Sequence, residues 1–332
     1  MSTENSSIHL LLCLCCALLA ACSDGSDRQP GSGAVYAPIP QPLLQLPPDA
    51  GTIALSSTEF DLAAVGYRQD EFFFSGSARA FANTTELGSD GLWDIEVAGQ
   101  APYLSRMVVY RPIDPQQFSG TVIVEWLNVS AGFSSGPVWR NTHTELIRQG
   151  HAWVAIDAQQ TGIEGGGVSV SPVPLYLKAI NPDRYGELQH PGDSYSYDIF
   201  TQAAQALRSP GAIDPLAGLV PDVMIAAGQS QSAYRLTTLV NTLQPVYGPF
   251  DGYFLFSRLV MNFERLENGQ WVITSPSGAA PLSQSDVPDN MPPLRVEIRP
   301  DLRVPVLMLQ SETDVIDLQS IELRQADTDR FR

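Results

Sequence analysis

The chain has 332 residues, with 19 Lys and Arg against 36 Asp and Glu, a formal net charge of −17, and 44% hydrophobic against 17% charged residues. That length suits one large domain or two ordinary ones with a sizeable core, and the apolar share excludes intrinsic disorder despite the acidic balance. No Lys/Arg cluster occurs, so nucleic-acid backbones and anionic lipid surfaces would be repelled rather than neutralised, and both are excluded as partners.

Residues 10–21 are a twelve-residue apolar run, too short for a transmembrane helix and of the length of a signal-peptide core. The run ends in Leu19-Ala20-Ala21-Cys22, followed by polar residues. A small-residue cleavage site with Cys directly after it resembles the lipobox of bacterial lipoproteins, which implies that Cys22 is lipidated, for instance with palmitate, as the mature N-terminus. The expected organisation is a signal peptide at 1–21, a Gly-, Ser- and Pro-rich tether at 22–48 and a folded domain at 49–332. Such a protein is exported to the bacterial cell envelope and meets the membrane only through its lipid. All four cysteines lie at or before position 22, so the mature chain forms no internal disulfide and its stability rests on core packing.

Along the domain, residues 71–81 and 105–111 read as strands. A β-branched strand at 121–127 follows, then a loop with Gly132 and Gly136-Pro137, a helix over 138–149 closed by Gly150, and a buried strand at 153–156. A Gly- and Pro-rich loop over 162–193 leads to a helix at 195–207. The strand 223–227 runs into Gly228-Gln229-Ser230-Gln231-Ser232 and a helix at 233–243. Strands at 253–256 and 304–309 flank a proline-rich connection, placed where a lid is often inserted. Short apolar strands alternating with helices predict an α/β fold with a mostly parallel sheet and helices on both faces.

Gly228-Gln229-Ser230-Gln231-Ser232 lies between strand and helix, where a nucleophile elbow needs small residues two positions either side of an exposed Ser; the usual final Gly is Ser232 here. Ser230 is therefore the expected nucleophile. The oxyanion hole is expected from the backbone N–H of Gln231, at a helix N-terminus, and from the loop beginning at Asn128. After the strand at 304–309, Asp314 or Glu312 can supply the acid, and Asp314 has the more suitable offset. The four histidines, His9, His143, His151 and His190, all precede Ser230. His190, in a Pro-Gly loop, is the one that could approach a pocket. No H-E-x-x-H pattern or His/Asp cluster with ligand spacing occurs, so neither metal nor cofactor is expected.

Glu125-Trp126-Leu127-Asn128-Val129-Ser130, the segment from His190 to Asp198, Gly228 to Leu236, and Phe250-Asp251-Gly252, in this order, resemble a branch of the α/β-hydrolase superfamily labelled α/β-hydrolase domain proteins. The resemblance spans roughly residue 60 to the end. It implies an α/β-hydrolase fold, a Ser230 nucleophile, an acid within 310–314 and a His after the last strand. The sequence stops at Arg330-Phe331-Arg332, where that strand would begin. The expected function is hydrolysis of a small carboxylic ester or amide, with the last strand and the His region missing and little turnover by this chain. The alternative is a noncatalytic, membrane-tethered small-ligand binder on the same scaffold.

Overall fold

The computed structural model describes residues 35–166, 171–258, 262–265, 271–275, 279–280, 282, 292–293, 295–316 and 319–332. Its strands and principal helices are β1 (Leu43–Gln45), β2 (Tyr67–Asn83), β3 (Ile95–Pro112), β4 (Thr121–Trp126), α1 (Pro137–Gln149), β5 (Ala152–Ile156), α2 (Ser196–Arg208), β6 (Val223–Gln229), α3 (Gln231–Tyr247), β7 (Gly252–Phe256), β8 (Asn262–Arg265), β9 (Trp271–Ser275), β10 (Val306–Leu309) and α4 (Glu312–Ile316). Eight strands form one sheet in the order β1-β2-β3-β5-β4-β6-β7-β10, and β8 and β9 pair separately. The pairs among β1, β2, β3 and β5 are antiparallel. From β5 through β4, β6 and β7 to β10 every pair is parallel.

Alternation along the parallel strands divides the core. Val122, Val124 and Trp126 face one way and join the buried cluster that includes Phe200 of α2 and Leu236, Leu239 and Leu243 of α3. Ile123, Trp153 and Ala155 face the other way and pack with Val138, Trp139 and Leu146 of α1. Trp126, Trp139 and Trp153 are all fully buried, and truncating a core Trp to Ala costs about 3–5 kcal/mol. Arg79 fastens β2 to α2: its guanidinium lies 2.6 Å from the Asp198 carboxylate and 4.4 Å from the centre of the Tyr247 ring.

Three boundaries differ from expectation. β2 and β3 run for 17 and 18 residues as a long hairpin, because the first half of β3 has a largely solvated side and pairs without an apolar run. Residues 37–48, expected as tether, belong to the domain: Ala37 N–H donates to Val246 C=O, β1 pairs with β2, and Arg184 donates to the Pro48 carbonyl at 2.7 Å. Pro245 lies inside α3, which extends to Tyr247. At the chain's end, Phe331 bridges in parallel to Val306 of β10. Nearly half of the connection expected to carry a lid, and residues 1–34, lie outside the described residues.

Chain direction locates the site. β4 leads through α1 to β5 on one side, whereas β6 leads through α3 to β7 on the other. In an open α/β sheet, adjacent strands with opposite exits leave a crevice at their carboxyl ends.

Glu125, on the α1 face of β4, sits at this crevice. It is fully buried, and its carboxylate accepts hydrogen bonds from Val138 N–H (2.8 Å), Trp139 N–H (2.9 Å) and the Trp153 indole (2.8 Å), thereby capping α1. Burial pushes its pKa up to about 7 despite those donors. The unfolded chain loses this proton near the ordinary value of 4.5, so across that interval folding takes up a proton and stability falls as pH rises, by about 3 kcal/mol in all. Glu125→Gln removes the titration. In urea unfolding, the stability of the wild type relative to Glu125→Gln is expected to decline between about pH 5 and about pH 8; a pH-independent difference would refute the ionisation.

Candidate functional site

β6 passes into α3 through Ser230, whose backbone has φ 59° and ψ −118°. A side chain in this left-handed half of the map costs about 1–3 kcal/mol and persists only where the surroundings over-determine it. Here Ser230 N–H donates to Phe256 C=O at the end of β7 (2.9 Å), and Ser230 C=O accepts from Tyr234 N–H in the first turn of α3 (3.0 Å). Gly228 lets the helix approach: a Cβ there would lie 2.9 Å from the Ser232 Cβ and 3.0 Å from Leu236 Cδ1. The same crowding shows why position 232 tolerates only a small residue.

Gln231 opens α3, so its main-chain N–H has no acceptor within the helix, and the positive end of the helix dipole lies alongside it. The loop after β4 closes tightly, with Asn128 N–H donating to Ser135 C=O and Ser135 N–H to Asn128 C=O, both at 3.0 Å. Asn128 Nδ2 donates to Gln229 C=O (3.0 Å), next to the elbow, and its Oδ1 accepts from Ser130 N–H (2.9 Å). The reading of Asn128 as an oxyanion donor is therefore corrected: its main-chain N–H is spent, and it pins the loop to the elbow instead. The next amide, Val129 N–H, has no hydrogen-bond partner among the described residues.

Asp314 lies in α4, just after β10, and is buried, whereas Glu312 is exposed. Asp314 Oδ2 accepts from Ser257 Oγ–H (2.8 Å) and Ser311 N–H (2.7 Å); Oδ1 has no hydrogen-bond partner among the described residues. Ser257 follows Phe256, so the end of β7 touches the elbow with one residue and the acid with the next.

The histidines have other roles. His190 is buried, its Nε2–H donates to Ala158 C=O (2.9 Å), and its Nδ1 accepts from Gly192 N–H (3.2 Å). Both ring nitrogens are engaged, and burial pushes the imidazole pKa down, keeping it neutral. His151 precedes β5, at the sheet edge opposite Ser230, with Nδ1 bonded to Ser119 Oγ (2.6 Å). His143 lies on α1, its ring against Phe60 and Trp139. Cys22 and His9 lie outside the described residues. Among the described residues no cluster of three or more His, Cys, Asp or Glu could hold a metal ion.

Sequence reading overlooked a buried set behind the loop. Asp157, just after β5, accepts from Ser134 Oγ–H with Oδ1 and pairs with Arg106 Nε through Oδ2 (2.6 Å). Arg106 also meets Glu71 (3.2 Å), which pairs with Arg184 (2.6 Å). Nearer α3, Arg235 pairs with Asp193 at 2.9 Å, and that cation holds the Asp193 carboxyl below its ordinary range against the effect of burial. An acid at the end of a strand was the available signal for Asp157.

The α/β-hydrolase domain family model matches residues 37–332. A comparison with curated proteins finds no match. Among solved structures the chain is similar to esterase Est22 (11% identity, TM-score 0.31, 59% of this chain and 46% of that one). It is also similar to a candidate acetyl xylan esterase of Bacteroides fragilis (12%, TM-score 0.39, 87% and 67%). A third is XC6422 of Xanthomonas campestris, described as an α/β serine hydrolase without lid (14%, TM-score 0.32, 72% and 77%). The chain thus spans less than half the length of Est22. With the family model covering the whole described domain and the sheet order and strand directions above, the chain belongs to the α/β-hydrolase domain family.

Proposed function

We propose that this chain carries the site of a serine hydrolase acting on small carboxylic esters or amides. The observation that carries the reading is the strained backbone of Ser230 at the strand-to-helix turn, with Asp314 beside it across the end of β7. Ser230 Oγ attacks the acyl carbonyl, and the N–H groups of Gln231 and Val129 receive the developing oxyanion. A base must take the Ser230 proton and pass it to the leaving alcohol or amine, and Asp314 Oδ1 is the acceptor that would orient an imidazole in that role.

Among the described residues, His190 has no lone pair left for that proton, His151 stands at the opposite end of the strands, and the His143 ring packs against Phe60 and Trp139 on α1. This polypeptide therefore turns over slowly. Removing one triad member still leaves about 10³- to 10⁴-fold catalysis over water, from the oxyanion hole and binding. Incubation with an alkyl fluorophosphonate is expected to label Ser230 slowly, and not at all in Ser230→Ala, while p-nitrophenyl acetate hydrolysis stays near background. Labelling at another residue would overturn the nucleophile, and rapid turnover lost in Ser230→Ala would overturn the slow-turnover reading. Asp314→Asn is expected to change the labelling rate less than about 2-fold, since no imidazole links the two residues, yet to lower stability by about 1–2 kcal/mol by weakening the Ser257 and Ser311 contacts; urea unfolding reads the second effect.

The engaged His190 also favours a second reading, a noncatalytic binder of small ligands. Ligand affinity retained in Ser230→Ala, alongside a wild type that is neither labelled nor active, would select it.

Lipid attachment at Cys22 remains part of the proposal, supported by Leu19-Ala20-Ala21-Cys22. Expressed in a bacterium with labelled palmitate, the wild type is expected to incorporate label and enter the detergent phase. Cys22→Ser should do neither; label retained in that variant would refute the anchor.

A further inference from the structure

We propose that Asp157 is a positioning residue for the oxyanion loop: through Ser134 it fixes the Val129 N–H over the elbow, and Arg106 fixes Asp157 in turn. The proposal deepens the serine-hydrolase reading and rests on it.

The loop between Asn128 and Ser135 is closed at its neck by their two mutual main-chain hydrogen bonds. Asn128 ties that neck to Gln229, beside Ser230. The Val129 N–H shares its planar peptide with the Asn128 C=O, which accepts from both Ser135 N–H (3.0 Å) and Ser135 Oγ–H (3.1 Å), so the direction of that N–H depends on where Ser135 is held. Ser134, the preceding residue, anchors it by donating its hydroxyl to Asp157 Oδ1.

Everything around that contact is dry and crowded. Ser134, Asp157 and Arg106 are 6%, 1% and 0% exposed. The turn at Gln160–Glu164 closes over them at Gly162, where a Cβ would lie 3.1 Å from Asp157 Oδ1 and 3.2 Å from Val129 Cγ1 and would collide with Ser134 Oγ. Val129, Ser134, Asp157 and Gly162 therefore meet at one point, so a displacement of the Ser134 hydroxyl is transmitted to Val129.

Asp157 cannot rotate away from this duty. Its Oδ2 is held by Arg106 Nε at 2.6 Å, its main-chain N–H donates to Arg106 C=O at 3.1 Å, and its own carbonyl accepts from Ser105 Oγ–H. Arg106 is held by the Ala54 carbonyl (2.6 Å) and by Glu71 (3.2 Å). With both oxygens committed, Asp157 is not available as an acid or base. Stability alone accounts poorly for the arrangement, since buried ion pairs are often no better than apolar residues of similar volume. Arg106 Nη2, moreover, is buried without a hydrogen-bond partner among the described residues. What a fully committed carboxylate adds is a single orientation, and an oxyanion donor requires that.

Phenylboronic acid tests the arrangement without needing a histidine. The Ser230 Oγ forms an O–B bond, its proton goes to solvent, and boron becomes four-coordinate and anionic, a mimic of the tetrahedral oxyanion. Its affinity is read from the four-coordinate ¹¹B NMR signal. Ser134→Ala and Asp157→Asn are each expected to weaken binding about 10-fold, as partial loss of one oxyanion donor. The double variant should be no weaker than either single one, because the two residues act through one contact. Should Asp157→Asn fail to fold, Ser134→Ala, which leaves the ion pair intact, decides the matter. Melting temperatures lowered with boronate affinity unchanged would make the set merely structural and overturn the proposal. A wild type with no four-coordinate signal, or one whose signal persists in Ser230→Ala, would instead overturn the Ser230 reading, and this proposal with it.

Discussion

The backbone at Ser230 is the constraint on which the carboxyl edge of the sheet is organised. A serine at φ 59° relaxes unless it is held on both sides. The Phe256 carbonyl fixes its N–H and the first turn of α3 fixes its C=O, so strand β7 and helix α3 together pay the strain. Because Ser230 spends its amide on β7, the first unclaimed N–H of α3 is that of Gln231, directly after the exposed hydroxyl. The residue that receives the elbow's hydrogen bond, Phe256, is followed by Ser257, which grips Asp314. Ser257 itself has φ 52°. Two consecutive positions at one strand end thus tie Ser230 and Asp314 to the same strand.

Charge is buried unevenly in this protein, and the distribution follows the same edge. Glu125 closes β4 and caps α1; Asp157 closes β5 and holds the next loop; Asp193 reaches Arg235 in the second turn of α3. Burial raises the Glu125 carboxyl, whereas the neighbouring Arg235 keeps Asp193 low, so the two acids differ according to whether a guanidinium pairs with them directly. Glu125 and Asp157 stand at the carboxyl ends of their strands, where buried carboxylates hold the connections that follow.

The sheet was legible wherever a strand buries both faces: the segments 121–127, 153–156 and 223–227 are almost wholly apolar, and each contains a strand. It was illegible where pairing needs no apolar run, as in the first half of β3 and at β1, whose membership depends on a partner thirty residues away. The strand-to-helix turn at Ser230 and the acidic turn after β10 were legible because their signals are local, small residues between strand and helix and acids after a strand. Asp314 and Glu312 differ in their surroundings only through α4, whose turn buries one and exposes the other. Asn128 was given the wrong role because the acceptor of its N–H, Ser135, is fixed by loop closure rather than by spacing. Asp157 and Arg106 lie 51 residues apart, and nothing along the chain marks them as a pair.

The histidines show how hydrogen bonding, rather than proximity in a motif, decides chemistry. An imidazole serves as a base through one lone pair. At His190 that lone pair is Nδ1, and Gly192 N–H occupies it, while Nε2–H is donated to Ala158. Burial penalises a charged ring and pushes the His190 pKa down, which is why the folded protein keeps it neutral. The ring instead braces the segment that carries Asp193, and Asp193 in turn receives both Gln160 N–H and the Arg235 guanidinium. His190 therefore reaches the nucleophile's helix through structure and not through a proton. Asp314 is built the opposite way, with one carboxylate oxygen doubly engaged and the other without a partner among the described residues. The fixed oxygen sets the orientation of the second, so the direction in which Oδ1 faces is determined by Ser257 and Ser311.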